Sequence, residues 1–218
     1  MSDNQAAKPN KMIFGRLMHY RALIFLIVLF LLEAFFVPRF LTTTNLLNVL
    51  RQVSITGIAA VGMTYVIITA GIDISIGSTV ALGGILAGLV LHQGGGVALA
   101  ILTGILGGLA VGLFNGVLIA YAGAMPFVIT LGSMYVFRGV TLILSGGQAI
   151  WGFPDNFVYI GTGYFLGIPV PVIIMALIYL AGHIVLTRFK YGRYVQAIGG
   201  DEEAARRCGV NIKLTKMF

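Results

Sequence analysis

Residues 74–137 read ISIGSTVALGGILAGLVLHQGGGVALAILTGILGGLAVGLFNGVLIAYAGAMPFVITLGSMYVF, and no Asp, Glu, Lys or Arg interrupts those 64 positions. A water-soluble domain cannot be built from such a stretch, because nothing in it supplies a charged outer surface. Lipid is the solvent that fits, since about 20 consecutive apolar residues suffice to cross a bilayer. The pattern extends outward: between residues 51 and 138 the only charged side chain is Asp73. A charge that persists inside such a segment is costly to bury and becomes a candidate for function.

The rest of the chain has the same character. Its 218 residues are 58% hydrophobic and 10% charged, against about 25% charged residues in soluble domains. The 30 glycines are about twice the usual share of ~7%. In bilayers, glycine lets helix backbones approach closely. The apolar runs are too long and continuous for barrel strands, which alternate apolar and polar over about ten residues. The fold class expected is therefore all-α, a polytopic helical membrane protein. Six spans are expected, at about residues 22–37, 53–69, 76–91, 97–121, 127–144 and 169–186. A polar tail, residues 1–21, precedes this bundle of residues 22–187, and a basic segment, residues 188–218, follows it.

Charge placement orients the bundle. Lys8, Lys11, Arg16 and Arg21 precede the first span, and Arg188, Lys190, Arg193, Arg206, Arg207, Lys213 and Lys216 follow the sixth. Those are 11 of the 14 basic residues, and the positive-inside rule places both groups in the cytoplasm. Six spans return the chain to its starting side, so span count and charge agree. Topology accounts for the net charge of +7 without a nucleic-acid partner. Residues 145–168, rich in Gly, Pro and aromatics and lacking Lys and Arg, fit an external loop. There Trp151, Phe153, Phe157, Tyr159 and Tyr164 form either an interfacial belt or a docking surface. Pro38 ends the first apolar run without a small-residue cleavage site, so that run reads as a retained helix, not a signal peptide. Glu33 reads as snorkelling at its outer end.

In the fourth span Gly104, Gly108, Gly112 and Gly116 recur every four residues. At 3.6 residues per turn a step of four drifts by about 40°, so the four form a slowly winding groove for close helix crossing. Gly84 and Gly88 are its expected counterpart in the third span.

Asp73 stands in GIDISIGS, residues 71–78, with Ser75 and Ser78 beside it. Two readings stay open. It caps the third span, or it is a polar element beside a transport path, where unwound backbone is tolerated because it lines a cavity. Asn115 belongs to the same polar set. Arg138, twelve residues after Pro126, lies about 18 Å into a continuous helix. It serves either a buried bridge or the polarity of the path. His19, His92 and His183 are isolated near helix ends and have no metal spacing; no cofactor or metal is expected.

In GGDEEAARRCGVN, residues 199–211, Asp201 is placed to cap a short helix over residues 200–209. Glu202 and Glu203 open it, and Arg206 and Arg207 close it, which suits the helix dipole. Glu202/Arg206 and Glu203/Arg207 are i,i+4 pairs. Such a helix either connects spans in water or docks into a soluble partner. The sole cysteine, Cys208, implies no disulfide. No phosphate-binding loop, HExxH or GxSxG motif occurs, so enzymatic activity is not expected.

The stretches at residues 45–78, 130–147 and 191–212 together resemble the permeases of ribose-type sugar ABC importers. GIDISIGS and YGRYVQAIGGDEEAARRCGVNI carry most of that resemblance. Branched-chain amino-acid permeases are related, and their wording fits less well. The resemblance implies a pair of permeases, identical or paralogous, in the bacterial inner membrane. It implies monosaccharide delivery by a periplasmic binding protein and a cytoplasmic ATPase subunit as the energy source. It also implies that the helix at 200–209, with Asp201, Glu202, Glu203, Arg206 and Arg207, fits a cleft of that ATPase. Asp73, Ser75, Ser78, Asn115 and Arg138 are then expected beside the substrate path. Members of that family are longer and carry further spans, so the chain is expected to represent a truncated, partial or split permease. The rival readings are a self-contained secondary transporter or channel, with Asp73 and Arg138 as its working charges, and a fragment that associates without transporting.

The expected topology is testable by labelling. In a Cys208→Ser background, Asn156→Cys should react with an impermeant thiol reagent added outside intact cells. Labelling only after membrane disruption would contradict it.

Overall fold

The computed structural model describes residues 20–217. The calls on Lys8, Lys11, Arg16 and His19 lie outside those residues. The described chain forms two compact units, one ending at Val49 and one beginning at Leu50. Its helices are α1 (Arg21–Phe36), α2 (Thr43–Ile68), α3 (Ile76–His92), α4 (Val97–Ala122), α5 (Pro126–Ser145), α6 (Asp155–Thr162), α7 (Val170–Arg188), α8 (Lys190–Gly200), α9 (Glu202–Arg207) and α10 (Ile212–Met217). Between α6 and α7, β1 (Tyr164–Phe165) pairs antiparallel with β2 (Ile168–Pro169). By length and composition α2, α4, α5 and α7 can cross a membrane, and α3 is a shorter apolar helix of 17 residues. The molecule is thus a multi-pass helical membrane protein.

In the first unit, α1 stops where Pro38 follows Val37, as the missing N–H of proline requires. The chain turns back there: Phe30 and Phe40 meet edge to face with centroids 5.3 Å apart. The Thr42 hydroxyl donates to the Arg39 carbonyl at 2.7 Å, and the Asn45 amide donates to the Phe40 carbonyl at 2.8 Å.

In the second unit, α3 packs against α4 and α5, and α4 also carries α10. The interior is unlike that of a soluble protein. Large apolar chains such as Ile55, Ile105 and Leu142 face outward, while Ser54, Ser75, Ser78, Asn115, Thr130, Ser133 and Thr141 are buried. Lipid is as apolar as leucine, so close packing of small residues, not hydrophobic burial, holds the helices together. The buried hydroxyls stay satisfied by donating to carbonyls one turn back. Ser54 reaches Arg51, Ser78 reaches Ser75, Ser133 reaches Thr130 and Thr141 reaches Phe137, at 2.6–3.1 Å.

Several expected boundaries are corrected. The second span begins at Thr43, about ten residues early, because TTTNLLNVLRQ is helix with hydroxyl-rich residues at its start. The loop at 145–168 contains α6 and the β1–β2 hairpin. It is anchored by Arg51, whose Nη2 donates to the Thr162 carbonyl at 3.0 Å and whose guanidinium lies 5.0 Å from the Tyr164 ring centre. The segment after α7 contains three short helices, where one was expected.

The glycine groove also divides. Gly104 meets the backbone of Gly83, not Gly84, and a Cβ built on either glycine would lie 3.0 Å from the other's carbonyl oxygen. Gly88 faces Ile150 and Phe153, Gly108 lies near Thr79, and a Cβ on Gly112 would meet nothing within 4 Å. Gly116 takes the backbone of Met217 in α10 directly against its Cα. Two backbones in contact leave no side chain free to yield, so Gly83→Leu should separate α3 from α4. We expect a loss of about 1–3 kcal/mol, read as a lower unfolding midpoint in detergent, with Gly112→Ala near neutral. Equal effects at the two sites would refute the assignment.

Candidate functional site

The site begins with the connection from α2 to α3. Ile68 closes α2, Ala70 adopts a left-handed conformation at φ 58°, and residues 71–74 are extended or irregular before α3 starts. Within this turn, Asp73 Oδ1 accepts from both the backbone N–H of Ser75 at 2.7 Å and its hydroxyl at 2.6 Å. The N-cap residue of α3 is Ser75, not Asp73. Asp73 therefore braces the turn before the helix by bonding to the residue two places on, the habit of aspartate in turns. The Ser75 carbonyl in turn accepts from the hydroxyls of Ser78 and Thr79 at 2.7 and 3.0 Å.

Two neighbouring helices hold this turn from outside. From α4, the Asn115 amide donates to the Ser75 hydroxyl oxygen at 2.9 Å. From α5, the Thr130 hydroxyl lies 3.1 Å from the Ile72 carbonyl and 2.9 Å from that of Pro126. A continuous relay thus runs from Asn115 through Ser75 to the Asp73 carboxylate. Asn115 is 4% exposed, and its Oδ1 is buried without a partner. Sealed-off acceptors of this kind cost about 1–3 kcal/mol, so the relay is held at some cost to stability.

The relay borders a cavity of about 730 Å³, lined by Asp73, Asn115 and Thr130 on one side and by Tyr191, Glu202 and Lys216 on another. The expected polar set is only partly assembled there. Asp73, Ser75 and Asn115 are bonded together, and Ser78 is tied to the same turn. Arg138 is exposed on α5, outside the cavity lining, and makes no hydrogen bond or ion pair among the described residues. It and Asp73 do not form one site. Gly112 and Gly116, read as packing residues, both line the cavity.

The far wall consists of α8, α9 and α10. The backbone of Ile68 lies directly against Gly199, a close approach that a side chain there would prevent. Tyr65 stacks on Tyr191 with centroids 6.1 Å apart, and the Tyr191 hydroxyl reaches the Thr215 carbonyl at 3.4 Å. Burial, with Tyr65 as the second cause, raises the Tyr191 phenol above the usual tyrosine value, so it stays a neutral donor at physiological pH.

In α9, Asp201 is the N-cap and accepts from the Ala204 N–H at 3.0 Å. Glu202/Arg206 and Glu203/Arg207 pair at 3.3 Å, and Arg206 reaches Glu203 at the same distance. The helix is shorter than residues 200–209: it covers Glu202–Arg207. Gly209 ends it at φ +83°. The N–H groups of Gly209 and Val210 return to the carbonyls of Arg206 and Ala205, the paired closure that only an αL residue permits. Ile198, Ala205 and Ile212 form a small apolar core joining α8, α9 and α10. One contact has no local sequence signal: Lys216 Nζ lies 2.6 Å from Glu202 Oε2, across fourteen residues.

Comparison with known proteins follows the same stretch of chain. Residues 45–218 match the family described as "Branched-chain amino acid transport system / permease component". The chain is 40% identical over 206 residues to the ribose import permease protein RbsC of Haemophilus influenzae, an alignment covering 93% of this chain and 64% of that protein. It is 41% identical over 195 residues to the Bacillus subtilis ribose import permease, covering 88% and 61%. It is 37% identical over 175 residues to the D-allose transport system permease protein AlsC of Escherichia coli, covering 80% and 54%. The chain therefore spans less than two thirds of the length of these curated relatives. No solved structure matches it. Since the family match takes in the Asp73 turn, the Asn115 relay and the cytoplasmically charged α8–α10 segment alike, this chain belongs to the branched-chain amino acid transport system permease family.

Proposed function

We propose that the chain is the membrane-spanning permease part of a carbohydrate ABC importer, with both basic ends in the bacterial cytoplasm. The observation that carries this reading is α9. Its Glu203, Arg206 and Arg207 side chains are 57%, 60% and 79% exposed, yet the helix is seated through Ala205 on an apolar core. A rigid, charged, projecting helix braced against the ends of spans is suited to receive force from a soluble partner. That partner is an ATPase subunit, since the chain has no nucleotide-binding motif. The names of its relatives, ribose import and D-allose transport permeases, support a monosaccharide as cargo. A periplasmic sugar-binding protein and a second permease copy or paralogue complete the assembly. The substrate path passes near the Asp73 turn. Arg138, far from that turn, acts on the opposite half of the path or where the two permeases meet.

The docking role is tested at Glu203. Its ion pairs are solvated and each contributes only about 0.3–0.5 kcal/mol to the helix, so Glu203→Lys should leave membrane levels unchanged. A mismatched charge at an interface costs several kcal/mol, so the ATPase subunit should no longer co-purify and ATP-driven uptake of D-ribose should fall to background. Full ATPase recovery with Glu203→Lys and with reversals at Arg206 and Arg207 would remove α9 from the interface.

The Asp73 turn is tested separately. Asp73→Asn keeps an oxygen able to accept from Ser75 and should retain folding and most uptake; Asp73→Leu should lose both. A folded but inactive Asn variant would show that the charge itself takes part in transport.

A further inference from the structure

We propose that the Lys216–Glu202 ion pair is the strut through which movement of α9 reaches the Asn115–Ser75–Asp73 relay. This inference rests on the permease reading of α9. It concerns what happens inside the membrane subunit after α9 has been moved.

Four contacts define the route. Glu202, the first residue of α9, holds Lys216 of α10 at 2.6 Å, with the Lys216 side chain 24% exposed. The pair is the shortest ion pair among the described residues and the least solvated, whereas the pairs within α9 are all 3.3 Å and largely exposed. One residue on, the Met217 backbone rests on Gly116 of α4. The residue beside Gly116 is Asn115, whose amide holds Ser75. Ser75 holds Asp73. Every link is a backbone contact, a charge-assisted bond or a hydrogen bond, with no flexible stretch between Lys216 and Asn115.

The design of α10 fits a moving part rather than a fixed wall. It is six residues long, and Asn211 caps it by accepting from the Leu214 N–H at 3.0 Å. Its other contacts are weak: Tyr191 reaches it at 3.4 Å, and Lys213 stands 5.6 Å from the Tyr121 ring centre. Gly116 offers α10 a smooth seat without side chains to interlock. Beneath that seat lies the unpartnered Oδ1 of Asn115. Lifting α10 would open this acceptor to water and relieve its cost. The seated state thus carries a built-in bias towards release, held in check by the Lys216–Glu202 pair.

Glu202 is also bonded to Arg206 at 3.3 Å. A partner that draws Arg206 or Glu203 away changes how firmly Glu202 holds Lys216. The strut is therefore sensitive to events on the exposed face of α9, although Lys216 does not belong to that face.

The test uses the assembled transporter with its ATPase subunit, in a Cys208→Ser background. Gly112→Cys places a thiol in the cavity, where a Cβ meets nothing within 4 Å. Its reaction rate with a small water-soluble thiol reagent is compared with and without ATP and vanadate. We expect trapping to change the rate in the parent by about fivefold or more, the usual range for coupled sites. Lys216→Met and Lys216→Gln should abolish that change while the ATPase still co-purifies, and Lys216→Arg should restore it. Retention of the full response in the Met and Gln variants overturns the strut. So does failure of Lys216→Arg to restore the response, or failure of both neutral variants to accumulate, which would make the pair a folding determinant instead. Absence of ATPase co-purification from the parent itself would instead refute the permease reading on which the strut rests.

Discussion

Hydrocarbon gives a buried polar group nowhere to turn, and that constraint shapes every contact in this chain. Each backbone N–H and carbonyl must be satisfied within the protein, so the spans are helices. Each hydroxyl buried between them bonds to a carbonyl one turn back. Because lipid contributes no hydrophobic drive for helices to associate, the helices meet where side chains are smallest. The contact of Gly83 with Gly104, backbone against backbone, is the clearest product of this rule. It aligns α3 with α4, and that alignment brings Asn115 within reach of Ser75.

The same constraint explains why function collects at one end of the bundle. The turn between α2 and α3 cannot be helical throughout, and its freed groups need partners. Asp73 supplies two bonds from within, and Thr130 and Asn115 supply bonds from α5 and α4. The turn is thus both the least regular and the most densely bonded part of the spanning region. It borders the cavity and the seat of α10, so a displacement at α9 has a physical route to it. Energetically the two ends of that route differ. The pairs on α9 are exposed and weak individually, which frees them for a partner, whereas the relay around Ser75 is sealed from water, where each bond counts for more.

Relation to the permease family gives this arrangement its context. The matched residues, 45–218, contain the polar turn, the glycine contacts and α8–α10. That stretch therefore contains both a transmembrane polar element and a projecting charged helix, joined by short contacts. A force-transmitting permease requires those two parts and a connection between them.

Sequence by itself determined what depends on composition and local spacing. The long stretch without charge demanded lipid and helices, and Pro126, Pro169 and Pro171 marked helix starts because proline suits the first turn. Asp201, the two acids, the two bases and Gly209 described a capped helix through rules that act within ten residues. The same local rules failed where distant backbone decided the outcome. Gly83 rather than Gly84 meets Gly104, since a helix's contact face is set by its neighbour's rotation and not by its own spacing. Asp73 braces the turn while Ser75 caps α3, because Asn115, forty residues away, occupies the Ser75 hydroxyl. Arg138 and Asp73, the two charges isolated in the apolar region, lie apart, since α5 turns Arg138 away from the cavity. Arg51 anchors the loop at Thr162 and Tyr164, and Lys216 finds Glu202 across fourteen residues. Neither pairing has a spacing that marks it, since long side chains meet wherever packing brings their helices together, and only the tertiary structure sets that.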